Sequence, residues 1–320
     1  MTYLGEALPV TGRALQLRTS FNRSLIDSLK YLLEACIEVI PSHCFSKANQ
    51  TLASLNPELK LSGLLGIIHS DFFNAAEQQD LQRVKQIAER LATDSYQIQE
   101  TKYVTLSEIN NFYSPLVKTM LTTGVTTEVN YFSLSSKEFV GIKNAFQQGI
   151  AIYKESFSEF YKEFQELISE ILVIKAQGLK GGSSFDAFGM IFLGYLDKWQ
   201  GRVSEVLDFI VHEQAHLYVH LLADNDRLVL NPSERHEAPL RKEKRPLIGV
   251  YHATFVLARV QYVLGKALAS NEIPTSEKTY CEELLTYYRE RCQVGLNVLK
   301  NHARMTPLGE ALITSASKLL

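Results

Sequence analysis

The sequence predicts a mainly α-helical α+β protein. Apolar residues recur at the helical period through most of the first third and again beyond residue 202. Strand-like runs are few and fall between residues 100 and 196. The strongest chemical motif lies inside a helical stretch, so a double-stranded β-helix, which needs about eight strands, is not expected.

The elements follow in order. Phe21 to Ile40 places Leu25, Leu29, Leu32, Leu33, Cys36 and Ile40 on one helical face, and Pro41 closes it. Asp80 to Leu91 repeats the pattern with Leu81, Val84, Ile87, Ala88 and Leu91. Residues 61–68, apolar but broken by glycines, fit a short helix or a strand equally. Residues 103–106 and 129–134 are β-branched and aromatic, as strands are. A long helix is expected from Ser136 to about Glu166, its seven Phe and Tyr residues read as core rather than as a cofactor box. Ile168 to Ala176 and Phe188 to Leu196, joined through a turn that starts at Gly178, read as a β-hairpin. Helices are expected from about Arg202 to Leu222, from Pro246 to about Ala269 and from Ser276 to Arg304, with a polar loop over 224–244. Thr306-Pro307 starts the last helix as N-cap and first-position proline. Residues 1–135 form an N-terminal, mainly helical portion and 136–320 a metal-binding catalytic portion, together one compact unit.

Composition narrows the function. At 46% hydrophobic and 21% charged, 320 residues can bury a sizeable core. A net charge of −2 supplies no global basic field for nucleic acid. The four cysteines have no close pairing, which argues against a disulfide framework or a C-x-x-C zinc site and for a reducing compartment. The first residues lack the basic and apolar regions of a signal peptide, and no uninterrupted apolar window reaches a span of ~18 residues. A soluble, cytoplasmic protein is expected.

Residues 212–216 read His-Glu-Gln-Ala-His, an HExxH motif. Residues four apart share a helix face, so His212 and His216 can converge on one divalent ion at about 2.0–2.2 Å. Glu213 then sits beside the ion, where in zinc peptidases it acts as general base. The plainer reading is a pair of satisfied core histidines. Candidate third ligands are His220, His236, His252, Glu234 and Glu237. His220 lies two turns, ~12 Å, from His212 and reads as a neighbour. The longer spacing of one peptidase clan is absent, because Val219 replaces its Gly and Leu222 its third His. Glu234 and Glu237 read equally well as solvated loop charges. His252, at the start of an apolar helix, is favoured as ligand over core residue. Arg241 and Arg245, close before it, suit bidentate binding of a carboxylate, whereas Lys242 and Lys244 read as solvated charges. Tyr195, Asp197 and Trp199 precede the metal helix and read as packing ahead of site lining.

Three blocks then stand together: His212-Glu-x-x-His216, Ala238-Pro-Leu-Arg241 and Arg245-Pro-Leu-x-Gly249-x-x-His252. The combination resembles the HExxH-type iron- and 2-oxoglutarate-dependent peptide β-hydroxylases associated with ribosomally made, post-translationally modified peptides. Thr306-Pro-Leu-Gly-x-Ala-Leu is similar to that family's usual ending. The close likeness covers about residues 205–260, with Leu240 where an aromatic is common and Lys244 where a proline is common. The resemblance implies that His212, His216 and His252 hold Fe(II). It implies that Arg241 or Arg245 binds the far carboxylate of 2-oxoglutarate. It further implies that O2 is consumed, succinate released and a side-chain β-carbon of a precursor peptide hydroxylated. Glu213 becomes an orienting group. The competing expectations are an HExxH zinc peptidase with Glu213 as base and Glu234 or Glu237 as third ligand, and a non-catalytic peptide-binding protein with a structural metal.

Overall fold

The computed structural model describes residues 5–122, 128–179, 181–195 and 201–320. They divide into two compact units, one of residues 15–134 and 165–196, the other of 1–14, 135–164 and 197–320. The sequence reading drew one boundary, at 135/136, and a single unit. Residues 165–196 belong with 15–134, because their strands pair with Lys102–Thr105 and Asn130–Phe132 in one sheet.

In the first unit, α1 (Arg13–Ala35) starts earlier and stops sooner than predicted. Pro41 opens the unpredicted α2 (Ser42–Ser54) as its N-cap instead of closing α1. The ambiguous 61–68 run splits. Its first residue ends β1 (Lys60–Leu61), which pairs antiparallel with β2 (Gln97–Ile98), and the rest begins α3 (Gly63–Glu77). Ser62 caps α3 from its hydroxyl. A Cβ at Gly63 would lie 2.8 Å from the Ala187 carbonyl oxygen, so this glycine permits close backbone approach and does not mark a loop. The helix expected over Asp80 to Leu91 is α4 (Leu81–Thr93), with the Asp80 side chain as its N-cap.

β3 (Lys102–Thr105), α5 (Ser114–Thr122), β4 (Asn130–Phe132), β5 (Glu170–Gln177), β6 (Gly181–Ser183) and β7 (Met190–Tyr195) complete this unit. The expected hairpin is not formed. β5 and β7 run parallel, Glu170 opposite Met190 through Lys175 opposite Tyr195, and the antiparallel partner of β7 is the short β6. β3 and β4 share the other edge of β5. The physical reason lies in β5: Ile171, Leu172, Val173 and Ile174 are all buried, a two-faced apolar run suited to a central parallel strand.

In the second unit, the predicted aromatic helix is two, α6 (Ser136–Ser156) and α7 (Ser158–Leu167), broken where Phe157 leaves helical geometry at φ −134, ψ 52. The break lets Phe157, Phe160 and Phe164 gather around the buried Tyr153 ring. α8 (Val203–Asn225) follows. The expected polar loop contains a short antiparallel pair, β8 (Arg235–Ala238) and β9 (Arg241–Pro246), which feeds directly into α9 (Leu247–Ala269). α10 (Lys278–His302) and α11 (Pro307–Ser317) close the unit, and Thr306 caps α11 as predicted. α9 is long and apolar enough to cross a bilayer, but 72% of that stretch is buried within the protein, as a core helix is. Among the described residues no sheet closes into a barrel, so the fold is mainly helical α+β and not a double-stranded β-helix.

Candidate metal centre

The metal-motif helix is α8. Its first N–H groups are satisfied by Glu277, whose carboxylate accepts from Val203 N (3.1 Å), Ser204 N (3.0 Å) and the Ser204 hydroxyl (2.8 Å). Negative charge there also suits the helix dipole. Most of α8 is buried all round. The partly exposed positions 205, 208, 209, 212, 216, 220 and 223 recur at three- and four-residue steps and form one stripe. On α9 the first four turns are buried except at 248, 249, 252 and 253. The histidines therefore occupy the open faces of two otherwise buried, packed helices.

The rings meet there. His212 and His216 lie 5.0 Å apart between ring centroids, His216 and His252 6.2 Å, and His220 and His252 4.9 Å. The His252 Nε2 is buried and has no hydrogen-bond partner. Burial lowers His212 to about 4. Burial, then the neighbouring His220, lowers His252 to about 3. His216 falls well below its usual value through burial and the other three imidazoles. The rings are thus neutral at pH 7, the state that ligates metal. Neutral imidazole donors with an orphaned buried nitrogen fit a divalent ion. Among the described residues, however, no three His, Cys, Asp or Glu side chains already converge as a closed metal cluster.

The other expected residues are placed as follows. Glu213 is 6% exposed, on the flank of the histidine stripe. Arg245 opposes His236 on the hairpin, and Arg241 opposes Ala238. Neither arginine side chain has an ion pair or hydrogen bond among the described residues. A Cβ at Gly249 would meet only the Arg245 Cβ, at 3.9 Å. Arg245 therefore begins against the α9 position that lies three residues, one turn, before His252. Glu234 and Glu237 are exposed, and Glu234 faces His236 at 3.8 Å, the ring that stacks on His302. No described contact brings either glutamate, or His236, to the histidine stripe. Asp197, Trp199 and the Tyr195 side chain lie outside the described residues.

Sequence reasoning missed three features. His220, read as a neighbour, is the closest ring to His252. Asp208, one turn before His212, accepts from the Tyr288 hydroxyl at 2.7 Å, while its second oxygen is buried and unpartnered. Burial raises it to about 6 against the Tyr288 hydrogen bond. The four-residue step from Asp208 to His212 was a visible signal; Tyr288, 80 positions away, was not. The third feature is a polar network behind the motif. Gln214 accepts from the Tyr153 hydroxyl (2.8 Å) and donates to Phe160 O (3.0 Å) and Glu163 (2.8 Å). Glu163 takes a bidentate pair from Arg259 at 2.5 and 3.0 Å, and Arg259 Nε donates to Ala7 O at 2.7 Å. Gln214, an unspecified position of HExxH, thus ties α8 through α7 to α9. Comparison with known proteins finds no family model that matches the chain and no curated protein similar to it.

Proposed function

We propose that the chain is a non-haem Fe(II)- and 2-oxoglutarate-dependent oxygenase that hydroxylates a side-chain β-carbon in a ribosomally made precursor peptide, in the cytoplasm. The observation that carries the proposal is the pairing of a neutral, half-buried histidine cluster on α8 and α9 with Arg245 of β9, whose side chain has no ion pair or hydrogen bond among the described residues. It joins the resemblance of residues 205–260 to the HExxH-type peptide β-hydroxylases.

His212, His216 and His252 would hold the iron. Bound iron would supply activation of O2, the oxidant: 2-oxoglutarate would give up two electrons on going to succinate and carbon dioxide and the substrate C–H bond the other two, one oxygen atom entering succinate and the other the peptide. Three uncharged ligands leave the ion's positive charge uncompensated, which favours a dianionic cosubstrate over a neutral one. Arg245, which pairs with no anion among the described residues, would bind its far carboxylate through two parallel hydrogen bonds. Gly249 keeps side-chain volume out of the space beside Arg245. Arg241, in the same strand and four residues earlier, is the alternative clamp. Glu213 would orient groups around the ligands from its buried position. The zinc-peptidase reading finds less support, because its two candidate glutamate ligands, Glu234 just before β8 and Glu237 within it, are exposed.

The test is anaerobic loading with Fe(II), addition of 2-oxoglutarate and O2, and detection of succinate by mass spectrometry, with the zinc-loaded protein beside it. Succinate formation that requires iron and oxygen is expected. Peptide cleavage by the zinc form without succinate from the iron form would overturn the proposal. Glu213→Gln should leave much of the oxygenase turnover, whereas a peptidase would lose nearly all of it; His252→Ala should abolish the oxygenase.

A further inference from the structure

We propose that α8 and α9 build two overlapping metal sites one helical turn apart, one completed by His212 and the other by His220, with His216 and His252 common to both. The inference rests on the metal-binding reading above. It names a ligand, His220, that the HExxH pattern does not include.

The ring spacings carry the argument. A metal–nitrogen distance of about 2.0–2.2 Å puts the imidazole centre about 3.2 Å from the ion. Two rings on one ion then lie about 4.5 Å apart at a right angle, about 5.2 Å at the tetrahedral angle and about 6.4 Å only when opposed. The 5.0 Å of His212–His216 and the 4.9 Å of His220–His252 are both spacings of two ligands on one ion. The 6.2 Å of His216–His252 suits only a nearly opposed pair. The cluster is therefore two close imidazole pairs in series, His212–His216 and His252–His220, linked through the wider His216–His252 spacing.

Helical geometry forbids one ion from using both ends. His212 and His220 stand two turns apart, ~12 Å along the axis, whereas His216 is one turn from each. His252, with its buried and unpartnered Nε2, faces the part of the stripe between His216 and His220. An ion held by His252 and His216 can take its third imidazole from either side, but not from both. The chain then binds a single ion, and the two outer histidines substitute for one another.

Cobalt(II) titration of the full chain, followed by visible absorption and by equilibrium dialysis, tests this. One Co(II) per chain is expected. His212→Ala and His220→Ala should each lower affinity by no more than roughly 10-fold, with a changed spectrum, because a three-imidazole set survives. The double variant and His252→Ala should each lose more than roughly 100-fold, as removal of a ligand from a three-ligand site does. His220→Asn and circular dichroism separate ligand loss from misfolding. If His220→Ala binds as the wild type does, and His212→Ala alone loses as much as the double variant, the second site is refuted while the HExxH site stands. If the wild type binds no Co(II), the metal reading itself falls.

Discussion

Replacing Glu163 with Gln should destabilise the second unit by about 3–5 kcal/mol, the cost of leaving one member of a buried ion pair without its partner. The magnitude follows from the surroundings. Arg259 is 0% exposed, packed among the Phe160, Tyr218 and Phe255 rings. Among the described residues its carboxylate partner is Glu163, at 2.5 and 3.0 Å. Burial lowers the guanidinium pKa and Glu163 more than offsets it in the wild type; in the variant Arg259 stays charged because a guanidinium is not deprotonated in proteins. Arg259→Met should cost a similar amount, because it leaves Glu163 charged and buried. Glu163→Leu combined with Arg259→Met removes both charges, and such double replacements are often neutral or stabilising. The assay is a double-variant cycle by calorimetry, with a drop of roughly 6–20 °C expected for each single change and far less for the pair. Additive losses would refute the reasoning, since they would mean that each side chain contributes packing rather than charge compensation.

Three shorter predictions follow. Gly249→Ala should stabilise the protein by about 0.5–1 kcal/mol, because its Cβ meets only one atom at 3.9 Å in a helix, yet raise the KM for 2-oxoglutarate; a destabilised variant with normal KM would show the glycine to be structural. The metal-free protein should lose stability as pH falls from about 6.5 toward 4, because His212 and His252 have folded values of about 4 and 3, below the unfolded ~6.5, and the unfolded chain binds more protons there. Asp208, raised to about 6, acts in the opposite sense by losing stability as pH rises from about 4 to 6, so Asp208→Asn should steepen the acid-side loss measured by urea unfolding. Thr306→Ala should cost about 1–2 kcal/mol in thermal unfolding, since its hydroxyl accepts from Gly309 N at 3.1 Å and donates to Asp226 at 2.7 Å.

What could be read in the sequence is what repeats locally. The four-residue step of His212 and His216, the Thr306-Pro307 start and the apolar faces of α4, α8 and α9 are short-range patterns, and each became the element it predicted. The fold class followed from them. What could not be read depends on pairs distant in the chain. The parallel alignment of β5 with β7 looks, residue by residue, like two arms of a hairpin, and only the all-round burial of Ile171 to Ile174 hints otherwise. The short strands of the hairpin before α9 are charged at nearly every position, so polarity concealed them. His220 was set aside by its distance from His212, an argument about one helix that could not anticipate which turn of α8 faces His252.

That last point makes the register between α8 and α9 the quantity on which the site depends. Both helices are apolar almost all round, and apolar surfaces alone specify sliding poorly. The polar network behind the motif supplies the missing specification: Gln214 fixes α8 to Glu163, and Glu163 fixes α9 through Arg259. Arg259 is seven residues, two turns, beyond His252, so the pin and the ligand share one face of α9. A slip of one turn, about 5.4 Å, would carry His252 past its present neighbours on the stripe. The Glu163→Leu/Arg259→Met variant, expected to stay folded, therefore should bind Co(II) more weakly than the wild type although no ligand is changed. Retained stability with unaltered metal affinity would show that hydrophobic packing alone sets the register, and that the buried ion pair serves the fold without serving the site.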